Sequence, residues 1–136
     1  WKPDGNCRWM TLSKKLLNWE TQEEMQDYKI VLTWEAIYDV TDIADYIEAE
    51  FGQLRADRFQ DDIKNEMNKL GYMGGMFPKT QILYRNYSIH KKPFPPSIIF
   101  YVLVEQKQEI HVLRVLREEQ DWQSILSVTK KYTYPT

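Results

Sequence analysis

The sequence predicts an α+β fold, a small antiparallel sheet covered by an N-terminal helical hairpin, in the order β-α-α-β-β-β-α. Three features predict it. Residues 34–70 repeat apolar side chains every three or four positions, the spacing of two amphipathic helices. Residues 97–116 are instead strand-like, first as a nearly continuous apolar run and then as an alternation. Between these segments Gly71, Gly74, Gly75 and Pro78 break the helical pattern with a loop.

The elements follow in chain order. Residues 28–33, Tyr-Lys-Ile-Val-Leu-Thr, are rich in β-branched and aromatic residues and form a first strand. Thr33 caps the next helix, and Glu35 places an acid in its first turn. Ile37, Val40, Ile43, Ala44, Ile47 and Phe51 make its apolar stripe, with Asp39, Asp42, Asp45 and Glu48 as the wet face. Gly52 ends it, since glycine alone enters positive φ without steric strain. Ala56, Phe59, Ile63, Met67 and Leu70 line a second helix, and so short a connection folds the pair into an antiparallel hairpin. Three strands follow: an irregular one over residues 82–92, the apolar run at 97–105, and residues 109–116. In the last, Ile110, Val112, Arg114 and Leu116 point one way and His111, Leu113 and Val115 the other. Lys107-Gln108 turns between the last two strands, and Asp121 caps a short closing helix that docks Trp122, Ile125 and Leu126.

Residues 28–127 form the domain on this reading, residues 1–27 an N-terminal extension and residues 128–136 a C-terminal tail. In the extension Leu12, Leu16, Leu17 and Trp19 fit one face of a short helix, and Met25 is the expected start of the native domain. A single cysteine, Cys7, excludes an intrachain disulfide, and no metal-ligand spacing or cofactor motif is present. No apolar run reaches membrane-spanning length and no signal-peptide pattern opens the chain, so the expected location is the cytoplasm. The formal charge of −2 hides an asymmetry. Residues 34–70 carry ten acids and four bases, whereas residues 79–117 carry seven bases and two acids, which gives a basic half able to meet phosphates.

Taken in order, these segments resemble the RelE/ParE superfamily of toxins. The first strand with Glu35-Ala36, the run Asp42-Ile43-Ala44-Asp45-Tyr46-Ile47 leading to Glu50-Phe51-Gly52, and Ala56-Asp57-Arg58-Phe59 with Ile63 are similar to that family's opening strand and two helices. Phe77-Pro78, Ile98-Ile99-Phe100-Tyr101, Ile110 to Leu116 and Asp121-Trp122 are similar to its loop, central strands and terminal helix. The resemblance implies a bacterial toxin of a type II toxin–antitoxin system, bound by a cognate antitoxin and acting without a cofactor. It implies one of two targets, DNA gyrase for ParE-like members and ribosome-bound messenger RNA for RelE-like members.

Metal-free RNA cleavage needs cations around the phosphorane, a base and an acid. The residues matching the family's active surface are Arg85, Lys91, Lys92, Arg114 and Arg117, with Tyr87 for base stacking and His90 tuned near neutral pH for proton transfer or target binding. His111 reads as a surface or packed histidine. Where the family usually has His or Tyr followed by Gly-Arg-Arg, this chain has Arg117-Glu118-Glu119-Gln120. That departure removes cations and favours the ParE-like reading over a RelE-like endoribonuclease, with an inactive antitoxin-binding module as a third possibility. Trp34, Ile37 and Tyr38 on the helical hairpin are the expected antitoxin contacts.

Overall fold

The computed structural model describes residues 28–135. The expected extension helix, the start at Met25 and Cys7 lie outside the described residues. Strand β1 (Lys29–Leu32) leads into helices α1 (Trp34–Phe51) and α2 (Gln53–Met73), then a single 3-10 turn (Gly74–Met76). Strands β2 (Lys79–Tyr84), β3 (Tyr87–Phe94), β4 (Ser97–Val104) and β5 (Glu109–Arg117) follow, and α3 (Trp122–Val128) closes the order. The five strands form one sheet in the order β1-β5-β4-β3-β2. The fold class is the expected one, and three details differ from the sequence reading.

The first concerns residues 82–92, which form part of a β2–β3 hairpin rather than one irregular strand. Its two-residue turn, Arg85 (φ 52°) and Asn86 (φ 70°), has positive φ at both positions, the geometry that matches strand twist. Asparagine tolerates that region but arginine seldom does, so the usual glycine signal is absent. The second is the sheet itself, which is mixed, because β1 pairs parallel to β5 after the helical hairpin crosses over. The third is a register break between Phe100 and Tyr101 of β4, which leaves Leu113 of β5 as an extra residue. The bulge reverses the alternation expected for β5. Ile110, Val112 and Val115 pack with the helices, and Leu113 and Leu116 pack on the opposite face.

Two cores result. Between hairpin and sheet lie Val40, Ile63, Met67, Leu70, Ile99 and Tyr101, while Phe100, Val102, Leu113, Leu126 and Tyr132 build the second face. Thr33 joins the first core to the sheet edge. Its Oγ1 accepts from the Ala36 amide at 3.0 Å, which caps α1, and its proton reaches the carbonyls of Val112 and Leu113 at 3.0 and 2.9 Å. At the far end, Gly52 (φ 97°) closes α1 with its amide on the Glu48 carbonyl at 3.0 Å. No atom lies within 4 Å of the position a Cβ would take there. Gly52→Ala therefore tests backbone strain alone and is expected to lose about 1–2 kcal/mol in urea unfolding. An unchanged midpoint would mean that the turn can relax.

Residues 130–134 are more than a tail. They return along the start of α1, where the Trp34 amide donates to the Thr133 carbonyl at 2.8 Å. The Thr133 amide and hydroxyl each reach the Glu35 carboxylate at 3.0 Å. Tyr132 is 2% exposed and meets Tyr84 edge-on at 4.9 Å between ring centres.

Candidate functional site

The five cations nominated from sequence do not converge. Arg114 sits where β1 has ended and α1 runs beside the open edge of β5. Asp39 of α1 takes its Nε at 2.6 Å, its Nη2 at 2.9 Å and the Val115 amide at 2.9 Å. Burial pushes the Asp39 carboxyl up, against the pull of Arg114, and the hydrogen bond to Asp39 holds the guanidinium further into its charged form. Asp39 is thus no part of a wet helix face. It completes the edge of the sheet.

Lys92 faces the helices, 8% exposed, with Nζ 2.8 Å from Glu66 of α2 and 4.6 Å from the centre of the Phe77 ring. Hydrogen bonds from Lys92 and Lys69 hold the Glu66 carboxyl below its ordinary value. A depressed carboxyl stabilises the fold above its unfolded value of about 4.3, and that contribution is lost as pH falls through the folded value. Glu66→Gln is therefore expected to cost about 2 kcal/mol at pH 7, because it strands a buried ammonium, and the gap to wild type should narrow towards pH 3. Thermal unfolding at the two pH values checks this. A gap that does not change with pH would refute the ion pair.

His90 is also on the helical side. It is 4% exposed, stacks on Tyr101 at 5.1 Å, and its Nδ1 donates to the Phe77 carbonyl at 2.9 Å. So placed, its ring is engaged within the fold, and the residue borders a cleft of about 410 Å³ with Tyr87 and Ser88. Tyr101 in turn donates its hydroxyl to the Gly74 carbonyl. Arg117 is exposed beside α1, 3.3 Å from Glu119 and 5.9 Å from the Tyr46 ring centre. Lys91 points to the opposite face, 5.3 Å from the ring centre of Trp122.

Arg85 and Tyr87 are brought together with residues that the sequence reading did not nominate for a site. On the face opposite the hairpin they line a cleft of about 650 Å³ with Lys29, Lys107, His111 and Tyr134. Its floor is apolar, from Val31, Val102 and Val104, and Glu109 is the one acid among the described residues that line it. His111 Nε2 lies 2.8 Å from Glu109 Oε1, and its Nδ1 lies 2.9 Å from the Tyr134 hydroxyl. A carboxylate accepts only, so Nε2 donates to Glu109, and in that singly protonated tautomer Nδ1 accepts from Tyr134. Burial raises the Tyr134 phenol, which keeps it a donor. No local sequence pattern joins Tyr134 to His111, because the contact depends on the chain doubling back after α3.

On the hairpin, Ile37 is buried in α1, so of the three expected antitoxin contacts it presents no surface. Trp34 is half-buried and stacks on Tyr38 at 5.8 Å, and Tyr38 is 55% exposed. Tyr46 and Phe51 are exposed further along α1 and line a groove of about 480 Å³ with Arg55, Arg58 and Phe59. Among the described residues no helix is long and apolar enough to cross a membrane.

A family model described as "ParE toxin of type II toxin-antitoxin system, parDE" matches residues 30–122. Nine chains of solved structures also match. One of them, titled "Chromosomal ParDE TA system from P. aeruginosa", aligns with a TM-score of 0.56 and 20% identity, over 66% of this chain and 95% of that chain. Likeness at that identity speaks for the fold. No curated protein matches the sequence.

Proposed function

The chain belongs to the ParE toxin family of type II toxin–antitoxin systems, and from that premise we propose that it arrests growth by poisoning DNA gyrase in the cytoplasm and is neutralised by a cognate antitoxin. The observation that carries the gyrase reading is the use to which the basic side chains are put. Arg114 and Lys92 are held by Asp39 and Glu66, and Arg117 is paired at the surface with Glu119, so three of the five cations that RNA cleavage would use already have a carboxylate partner. The other two, Arg85 and Lys91, lie on the opposite side of the sheet. A phosphorane needs its cations on one side and unpaired. A toxin that acts by binding a protein needs only a stable surface.

The antitoxin reading rests on the exposed aromatic residues of α1. Tyr38, Tyr46 and Phe51 are each more than half exposed on one helix, the kind of surface an amphipathic partner segment covers. Induction of the full chain in a bacterial host, with labelled thymidine and amino acids followed together, tests the target. Thymidine incorporation is expected to fail first. Earlier failure of amino-acid incorporation would transfer the reading to a RelE-like endoribonuclease. If both continue, the chain is an inactive module that titrates antitoxin.

A further inference from the structure

We propose that the cleft opposite the helical hairpin binds a phosphate ester bearing an aromatic base, a nucleotide either free or in a single strand. Charge is the first reason. Lys29, Arg85 and Lys107 surround the cleft, and among the described residues none of the three has a carboxylate partner, unlike Arg114, Lys92 and Arg117. The one acid, Glu109, already holds the His111 imidazole at 2.8 Å. Three cations with no carboxylate partner among the described residues, against one engaged carboxylate, attract an anion and repel a cation.

Shape and polarity supply the rest. Tyr87 stands at the cleft wall, half-buried, with its hydroxyl tied to Gln106 at 3.0 Å, so its ring is held as a platform for a flat base. Val31, Val102 and Val104 give that base an apolar floor. The Glu109–His111–Tyr134 chain fixes the Tyr134 oxygen, whose lone pairs remain able to accept from a sugar hydroxyl. On the same wall the buried Tyr84 hydroxyl lies next to Tyr134 and adds a polar atom beside the site. The groove along α1 differs in kind. There Arg55, Arg58 and Arg117 are interleaved with Asp62 and Glu119, an excess of one positive charge against two in the cleft, and Arg117 is paired with Glu119.

The test uses the full chain and three probes, inorganic phosphate, AMP and a six-residue single-stranded oligodeoxyadenylate, at about 100 mM salt so that weak surface attraction is screened. The His111 imidazole signals in NMR report the location, and calorimetry reports affinity. AMP or the strand is expected to shift His111 and to bind about tenfold or more tightly than phosphate, since phosphate lacks the stacking ring. Arg85→Asn with Lys107→Gln should weaken that binding by about tenfold or more. Asparagine suits the positive φ at position 85, so the turn is retained, and an unchanged thermal midpoint confirms that the variant folds. Binding of the strand without AMP identifies a nucleic-acid strand as the source, and equal or tighter binding of AMP identifies a free nucleotide. The proposal is overturned if neither probe moves His111, if phosphate binds as well as AMP and the strand, or if the double variant binds like wild type. None of these outcomes bears on the gyrase target, which is read from DNA supercoiling.

Discussion

Arg114→Ala is expected to lower the stability of the domain by about 3 kcal/mol, and Asp39→Ala by a similar amount. The reason is what each deletion leaves behind. Without Arg114 the Asp39 carboxylate, 13% exposed, keeps only the Val115 amide. Without Asp39 the guanidinium and that edge amide both lose their partner. Because the two bonds between the side chains are lost either way, the double alanine variant should cost less than the sum of the singles, with a coupling of about 2 kcal/mol in urea unfolding. Combining Asp39→Leu with Arg114→Met is expected to recover much of the loss, since apolar side chains of similar volume need no charged partner. A cost below about 1 kcal/mol for Arg114→Ala would show that the arginine is not spent on structure and would reopen its role as a phosphate ligand. Loss of toxicity in Arg114→Ala is therefore interpretable only beside the paired apolar replacement. If that variant folds and remains toxic, Arg114 acts by holding α1 to the sheet.

Tyr132→Ala is expected to cost about 3–5 kcal/mol, the range for emptying a buried aromatic site. Tyr132 is 2% exposed against Tyr84, and its loss would free residues 130–134 from the start of α1. Tyr132→Phe should behave in the opposite sense. Thr129 lies near the Tyr132 hydroxyl, but its own hydroxyl is committed to the Ile125 carbonyl at 2.8 Å, and the Tyr132 oxygen has no hydrogen-bond partner among the described residues. Burial accordingly pushes that phenol up to about 12. Removing the oxygen is expected to leave stability unchanged or to raise it by up to about 1 kcal/mol. Thermal unfolding of the two variants separates the contributions. Equal losses would mean that the hydroxyl, and not the ring, holds residues 130–134 in place.

Much of the fold was legible because its signals are local. The Thr33 cap, the apolar stripes of α1 and α2, the positive-φ Gly52 and the Asp121 cap each announce themselves within a few residues. What was not legible depends on contacts distant in sequence or on a one-residue irregularity. The β2–β3 turn uses Arg85-Asn86 without a glycine, so the hairpin read as a single uneven strand. The bulge at Leu113 shifts the phase of β5, and no pattern within the strand reveals where an extra residue falls. Asp39 looked like a solvated helix acid because its partner is 75 residues away. The candidate site was legible only in part for the same reason. Arg85 was singled out by its match to the family's active surface and Tyr87 as an aromatic able to stack on a base, whereas Lys29, Lys107 and Tyr134 come to the same cleft from the first strand, a turn and the returning C-terminal segment.

The most direct measurement of the central claim is supercoiling of a relaxed plasmid by purified DNA gyrase, titrated with the full chain and then with its antitoxin. Inhibition that appears as toxin approaches enzyme concentration, and is reversed by antitoxin, is the expected result. Supercoiling that proceeds undiminished at excess toxin, while translating ribosomes given the same chain cleave their message, would contradict it.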